Sequence, residues 1–127
     1  MNVAFLKGKL NLGSDEVIVV AGGIGLQIEC GFNVEDVPLI DEVEFFVRTI
    51  FREDGIKHYA FLNAFDRMFF DRIVAVDGCG PAMALRIVKT DGADDMIRRC
   101  DVKSLVKIKG VGLKTAEKLC TEIASSK

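Results

Sequence analysis

Gly110-Val111-Gly112-Leu113-Lys114-Thr115-Ala116 repeats a pattern met thirty-two residues earlier in Gly78-Cys79-Gly80-Pro81-Ala82-Met83-Ala84. The two copies agree beyond their glycines, Val76 answering to Ile108, Ala84 to Ala116 and Ile87 to Leu119. A repeat of this period is one supersecondary unit used twice. Two glycines one residue apart, entered from a hydrophobe and followed by helix-forming sequence, make a short turn whose backbone can approach a phosphate. The first N–H groups of the following helix have no intrahelical partner and lie at the positive end of its dipole, so an anionic oxygen suits them. Lys114 adds a cation for sequence-independent phosphate contact. Taken singly, a Gly-x-Gly turn is also an ordinary connector between packed helices. A nucleotide-binding Walker loop needs glycine directly before its lysine, and Leu113 stands there instead.

Each copy resembles a helix-hairpin-helix element, a family of minor-groove phosphate binders. The resemblance implies DNA contacts from Gly78, Cys79, Gly80 and Ala82 in the first copy, and from Lys109, Gly110, Val111, Gly112, Lys114, Thr115 and Lys118 in the second.

Charge distribution agrees with that placement. The net charge of −2 argues against nucleic acid only until the chain is divided. Residues 1–63 hold five Lys and Arg against ten Asp and Glu, net −5, whereas residues 64–127 hold twelve against nine, net +3. Lys103, Lys107, Lys109, Lys114 and Lys118 crowd the second turn with Glu117 alone opposing them.

Half of the 127 residues are apolar, enough for a real core in one domain or two small ones. No apolar run has membrane-spanning length and the N-terminus shows no signal-peptide pattern, which predicts a soluble, cytoplasmic protein with no membrane partner. Cys30, Cys79, Cys100 and Cys120 are widely spaced and accompanied by one histidine, so neither a zinc site nor a redox pair has the spacing it needs. They read as reduced, buried, small hydrophobes.

In chain order, Val3 to Leu12 and the β-branched run Val17 to Val20 read as paired strands around Gly13-Ser14-Asp15. Gly22-Gly23 turns into a third strand, Leu26 to Cys30, with Leu26, Ile28 and Cys30 on one face. Gly23-Ile24-Gly25 lacks the third glycine and following helix of a dinucleotide loop. Asn33 to Ile40 is an irregular or short helical crossover. Val43 to Phe51 is a long strand, and Arg52-Glu53-Asp54-Gly55 a hairpin turn into Ile56 to Phe61, with Asp-Gly supplying positive φ. Five short strands with one crossover fit a Greek-key barrel of the OB type. Its acidity argues against a single-strand platform, which needs a basic groove.

After Asn63, a candidate N-cap, the apolar period lengthens to that of a helix: Phe65, Phe69, Ile73 and Val76 form one stripe with Met68 beside it. That helix stops at Asp77-Gly78. Pro81 opens a helix to about Lys89, Asp91-Gly92 breaks the chain, a short helix reaches about Arg99, Asp101 caps Val102 to Lys107, and Leu113 to Ile123 is the last helix before the polar tail Ser125-Ser126-Lys127. The expected fold class is α+β: a five-stranded OB barrel over 1–63 and a tandem helix-hairpin-helix domain of about five short helices over 64–127.

The combination is similar to the RuvA family, the Holliday-junction-recognition subunits of a bacterial branch-migration machine. Phe5-Leu6-Lys7-Gly8, Gly22-Gly23-Ile24-Gly25, Arg52-Glu53-Asp54, Tyr59-Ala60-Phe61, Gly78-x-Gly80-Pro81 and Gly110-Val111-Gly112-x-Lys114-Thr115-Ala116-Glu117-Lys118 carry the resemblance over nearly the whole chain. It implies a homotetramer, or an octamer of two such rings, lying on an opened four-way junction in recombination and DNA repair, with the turns holding duplex-arm phosphates. Glu53 and Asp54 would match the family's acidic pin at the junction centre, where repulsion from phosphates guides exchanging strands. Read without the family, they are a solvated turn.

Three departures qualify the match. Ala82 and Leu113 stand where the family usually has lysines, which predicts weaker, less salt-sensitive junction binding, and Arg86, Lys89, Lys109 and Lys118 are the cations available to compensate. Ala60 stands where glycine is expected, which bears on barrel packing. RuvA proteins normally continue through a linker into a third domain that docks the hexameric ATPase motor RuvB. This sequence ends where that linker would begin, so the expectation is junction binding without productive motor coupling.

His58 has no partner carboxylate or nucleophile suggested by spacing and reads as a strand histidine. With no acid-base pair, activated nucleophile or metal cluster in the sequence, the expectation is a binding protein, not an enzyme, with no cofactor. Two other readings stay open: a generic helix-hairpin-helix duplex binder of the repair-accessory kind, and an interaction protein with no nucleic-acid role.

Overall fold

The structure, a computed structural model, describes residues 3–124, so the expected polar tail lies outside the described residues. The chain divides into two compact units, the first ending at Arg67 and the second beginning at Met68.

The first unit is a closed five-stranded barrel. Strands β1 (Phe5–Leu12), β2 (Val17–Ala21), β3 (Ile24–Cys30), β4 (Val43–Arg52) and β5 (Gly55–Phe61) run around it in the order β1-β2-β3-β5-β4. β4 closes onto β1 antiparallel, and β3 meets β5 in parallel at Glu29↔Tyr59 and Cys30↔Ala60. The crossover between β3 and β4 contains a single 3-10 turn, Val34–Asp36. Gly22 (φ 55°) and Gly23 (φ 81°) form a two-residue turn between the paired Ala21 and Ile24, the conformation in which both central residues need positive φ.

Closure depends on Gly8. β1 pairs with β4 over Phe5–Gly8 and with β2 from Lys9 onward, so Gly8 is the corner where one strand leaves one partner for another. A Cβ there would run into the Val20 carbonyl and lie 2.9 Å from Val19 Cγ1. The absent side chain lets β2 come close enough to close the wall. Inside, Leu10, Val19, Ile28, Phe32, Val37, Phe45, Val47 and Ala60 form the core, each large side chain contributing about 1.5–3 kcal/mol by leaving water. Ala60 is wholly buried between Cys30 and Val47, so its methyl group belongs to that core. Thr49 is the one buried polar residue described: its Oγ1 accepts from the Val3 N–H at 2.9 Å and lies 2.8 Å from His58 Nδ1.

Helix α1 (Ala64–Val74) begins at Asn63, whose Oδ1 accepts the Asp66 N–H at 2.8 Å, as an N-cap should. Arg67 donates to the Ala4 carbonyl at 2.7 Å and lies 5.4 Å from the centre of the Phe46 ring, tying the first helical turn to the barrel.

The second unit continues with α2 (Pro81–Val88), α3 (Ala93–Arg98), α4 (Val102–Leu105) and α5 (Leu113–Ala124). The α1 stripe is rotated from its expected position: Phe69, Phe70 and Ile73 are buried, whereas Phe65 is 50% exposed and Met68 is exposed. Spacing alone admitted Phe65, but Phe70 faces the core. Asp101 caps α4 by accepting the Ser104 N–H at 3.2 Å, although α4 ends at Leu105, short of Lys107. The pairs matched by the repeat, Val76 with Ile108, Ala84 with Ala116 and Ile87 with Leu119, all lie in the core.

Candidate nucleic-acid interface

The two Gly-x-Gly turns share a backbone. In the first, the Cys79 N–H donates to the Val76 carbonyl at 3.1 Å across Gly78 at φ 87°; in the second, the Val111 N–H donates to the Ile108 carbonyl at 3.0 Å across Gly110 at φ 90°. A positive φ at the third position is what a type II turn requires. The next glycine then starts a helix. The Ala84 N–H donates to the Gly80 carbonyl at 3.0 Å and the Ala116 N–H to the Gly112 carbonyl at 2.9 Å.

Between the glycines, Cys79 (7% exposed) and Val111 (4%) are buried. Burial, followed by the nearby Glu122 carboxylate, pushes the Cys79 thiol up, so it stays protonated in the core. These two expected contact residues can therefore offer only backbone. Gly78 and Gly112 are exposed, as are Ala82, Lys109, Gly110, Lys114 and Lys118, while Gly80 and Thr115 are half-buried. Gly80 has φ −88°, which any residue adopts, and a Cβ at Gly80 or Gly112 would meet nothing within 4 Å. Internal packing thus does not demand glycine at either position. What a bare backbone provides there is access from outside.

The helix starts differ in what they present. α2 begins with Pro81, leaving only the Ala82 and Met83 N–H groups free of helical partners, whereas α5 offers those of Leu113, Lys114 and Thr115. No side chain caps α2. Exposed Leu113 opens α5, and Lys114 and Lys118 follow one turn apart on one face.

One of the compensating cations named from the sequence could be placed only by the structure. Arg86 lies one turn along α2 from Ala82, on the same face, and its guanidinium reaches the other turn: a Cβ on Gly110 would come within 2.9 Å of Arg86 Nη1. The i, i+4 relation to Ala82 was its sequence signal. By contrast, Asp95 accepts from Arg98 Nη2 and from Arg99 Nε, each at 2.7 Å, bonds that hold its carboxyl below the usual carboxylate range.

In the barrel, Glu53 and Asp54 form the exposed two-residue tip between the paired Arg52 and Gly55. Gly55 alone supplies the positive φ, at 137°. Beneath the tip, Phe51 and Ile56 form an exposed cross-strand pair. His58 sits against Thr49, and burial lowers its pKa, consistent with a neutral, structural role.

The cysteines divide more sharply than expected. Cys79 and Cys120 are buried, Cys30 half-buried and Cys100 exposed. Cys100 is not a core residue because it ends α3 in the left-handed region (φ 53°), where the chain turns outward and the Asp101 N–H reaches the Met96 carbonyl at 2.8 Å. Burial and a hydrogen bond with Cys100 push the Cys120 thiol up to about 11. Among the described residues, no three His, Cys, Asp or Glu side chains converge as a metal site, and no helix is long and apolar enough to cross a membrane.

An OB-like barrel followed by two Gly-x-Gly helical turns with matching φ values and turn hydrogen bonds defines a barrel-plus-tandem-helix-hairpin-helix protein. The comparisons agree segment by segment: residues 3–60 match the RuvA N terminal domain, and residues 70–125 match the SAM-like Helix-hairpin-helix tandem. The Holliday junction branch migration complex subunit RuvA of Thermodesulfovibrio yellowstonii is 32% identical over 124 residues, covering 94% of this chain and 65% of the relative. Those of Solibacter usitatus and Borrelia hermsii are 35% identical over 114 residues (86% and 58%) and 40% identical over 87 residues (66% and 44%). The chain belongs to the RuvA family, and it spans less than two thirds of the length of these relatives.

Proposed function

We propose that the chain binds four-way DNA junctions, holding backbone phosphates of the duplex arms at its two Gly-x-Gly turns. The observation that carries this reading is the pair of glycines, Gly80 and Gly112, kept bare at helix starts where the fold itself would accept a side chain. Only a body approaching from outside has use for that space. Gly78, Cys79, Gly80 and Ala82 contribute backbone at one turn; Lys109, Gly110, Val111, Gly112, Lys114, Thr115 and Lys118 contribute backbone and charge at the other. The barrel, residues 1–63, carries Glu53 and Asp54 as an acidic pin that repels phosphate at the junction centre, while residues 64–127 grip the arms.

The junction has four arms, so the working form is a homotetramer, the simplest ring that gives each arm one pair of turns; an octamer sandwiches the junction between two rings. The relatives are named as subunits of a branch migration complex, and by that likeness this chain works in the cytoplasm beside a RuvB-type ATPase motor in recombination and repair. Its own contribution is binding, with no catalytic site.

A gel-shift competition between a synthetic four-way junction and linear duplex of the same arm sequences, with the mass of the complex measured in parallel, tests the reading. Strong junction preference in a tetramer-sized complex supports it. Equal weak binding to both DNAs by a monomer replaces it with generic duplex binding, and no salt-dependent binding removes the nucleic-acid role. Neutralising the tip (Glu53→Gln with Asp54→Asn) is expected to raise duplex affinity and narrow the preference for junctions.

A further inference from the structure

Leu113 leaves the second turn without a cation at the first position of α5, and the structure brings one from elsewhere. Arg86 projects from α2, a helix of the first hairpin, and its guanidinium lies over Gly110 of the second. Its side chain forms no hydrogen bond or ion pair with any described residue, whereas Arg98 and Arg99 are held by Asp95 and Arg67 donates to a barrel carbonyl. The last turn of α2 favours a cation at position 86 but does not explain why that cation reaches the other hairpin. In sequence the turn is flanked by Lys109 and Lys114, with Glu117 the next acidic residue along α5, and the positive end of that helix lies at the turn. Such a setting favours an anion.

Resting on the junction-binding reading, we propose that Arg86 is the phosphate-binding cation of the second turn, in place of a lysine at 113, so that the first hairpin's helix completes the second hairpin's site. The planar guanidinium offers two parallel N–H donors to one phosphate, which a lysine ammonium does not. The departures at Ala82 and Leu113 then remove less phosphate contact than a count of lysines suggests.

The test compares salt dependence of DNA binding for the parent chain, Arg86→Ala, Arg86→Lys and Arg98→Ala, the last an exposed cation of α3 held by Asp95. The slope of log affinity against log salt is expected to fall by about 0.9 for each subunit whose Arg86 is on a phosphate in Arg86→Ala, and to stay unchanged in Arg98→Ala. Arg86→Lys is expected to keep the slope and lose affinity several-fold. Adding Leu113→Lys to Arg86→Ala is expected to restore the slope. If the parent binds DNA and Arg86→Ala keeps the full slope, the assignment of Arg86 is overturned and the junction reading stands; a lowered melting temperature with that unchanged slope identifies a packing role instead. If the parent shows no salt-dependent DNA binding, the junction reading falls and Arg86 with it.

Discussion

The two hairpin turns have nearly the same backbone and quite different chemistry. Gly78 and Gly110 sit at φ 87° and 90°, the residues between the glycines are buried in both, and the same two hydrogen bonds close each turn. Around that shared frame, the first turn has Pro81 and Ala82 where the second has Leu113 and Lys114, and the second also has Lys109 before its first glycine and the Arg86 guanidinium reaching Gly110. The frame is thus dictated by core packing and turn geometry, which both copies need, while charge is free to diverge because it lies in solvent. The lesson is that a repeat can double a shape without doubling an affinity.

The largest expected effect tests the shared frame. Gly78→Val and Gly110→Val each force a β-branched residue to φ near +90°, a cost of about 1–3 kcal/mol. Thermal or urea melting should show similar losses for both. At Gly110 the new Cβ also displaces the Arg86 guanidinium, so Gly110→Val should lower DNA affinity further than its stability loss explains. Equal DNA affinities for the two variants would contradict the asymmetry of charge.

The next effect sharpens that asymmetry. Lys114→Ala should remove one phosphate contact, and Ala82→Lys should create one at the first turn, since position 82 is exposed on the face that Arg86 shares. Each contact changes the loss of affinity between 50 and 200 mM salt by about 3.5-fold per engaged subunit. An Ala82→Lys chain with no steeper salt dependence would mean that the first turn meets no phosphate and is a packing device alone.

Much of this was legible in the sequence, and the reasons are local. Glycine pairs, Pro81, Asn63 and Asp101 act within a turn or two of themselves, so strand and helix ends follow from them with little help from the rest of the chain. Gly8 is different: it marks a corner only because β2 arrives from the other side, a long-range fact. Phe65 and Phe70 are likewise both compatible with helical periodicity, and only the folded structure decides that Phe70 is inside. Cys100 looked like a core residue until α3 was seen to end on it in a left-handed turn. Arg86 was visible as a cation and not as a neighbour of Gly110, because twenty-three residues of intervening chain had to fold before the two met.

The smallest effect separates the helical unit, which carries both turns, from the barrel by pH. The only histidine, His58, lies in the barrel, and its burial holds its pKa below the usual 6.5. The unfolded chain therefore takes up this proton more readily than the folded one, so the stabilisation is complete above about pH 6.5 and is lost as pH falls through the folded value. In the helical unit, Asp95 is shifted below 3.8 by its bonds to Arg98 and Arg99, and the same sign of linkage operates there only in stronger acid. Between pH 7 and 5 the barrel should lose stability while the helical unit does not. Tyr59, the one tyrosine in a chain without tryptophan, reports the barrel by fluorescence, and helical circular dichroism reports the turns' own unit. A barrel melting temperature that falls over this range, and stops falling in His58→Gln, is the expected result. Parallel shifts in both signals would show that the units unfold as one, and the comparison of the two turns would then need to be made with the barrel held at neutral pH.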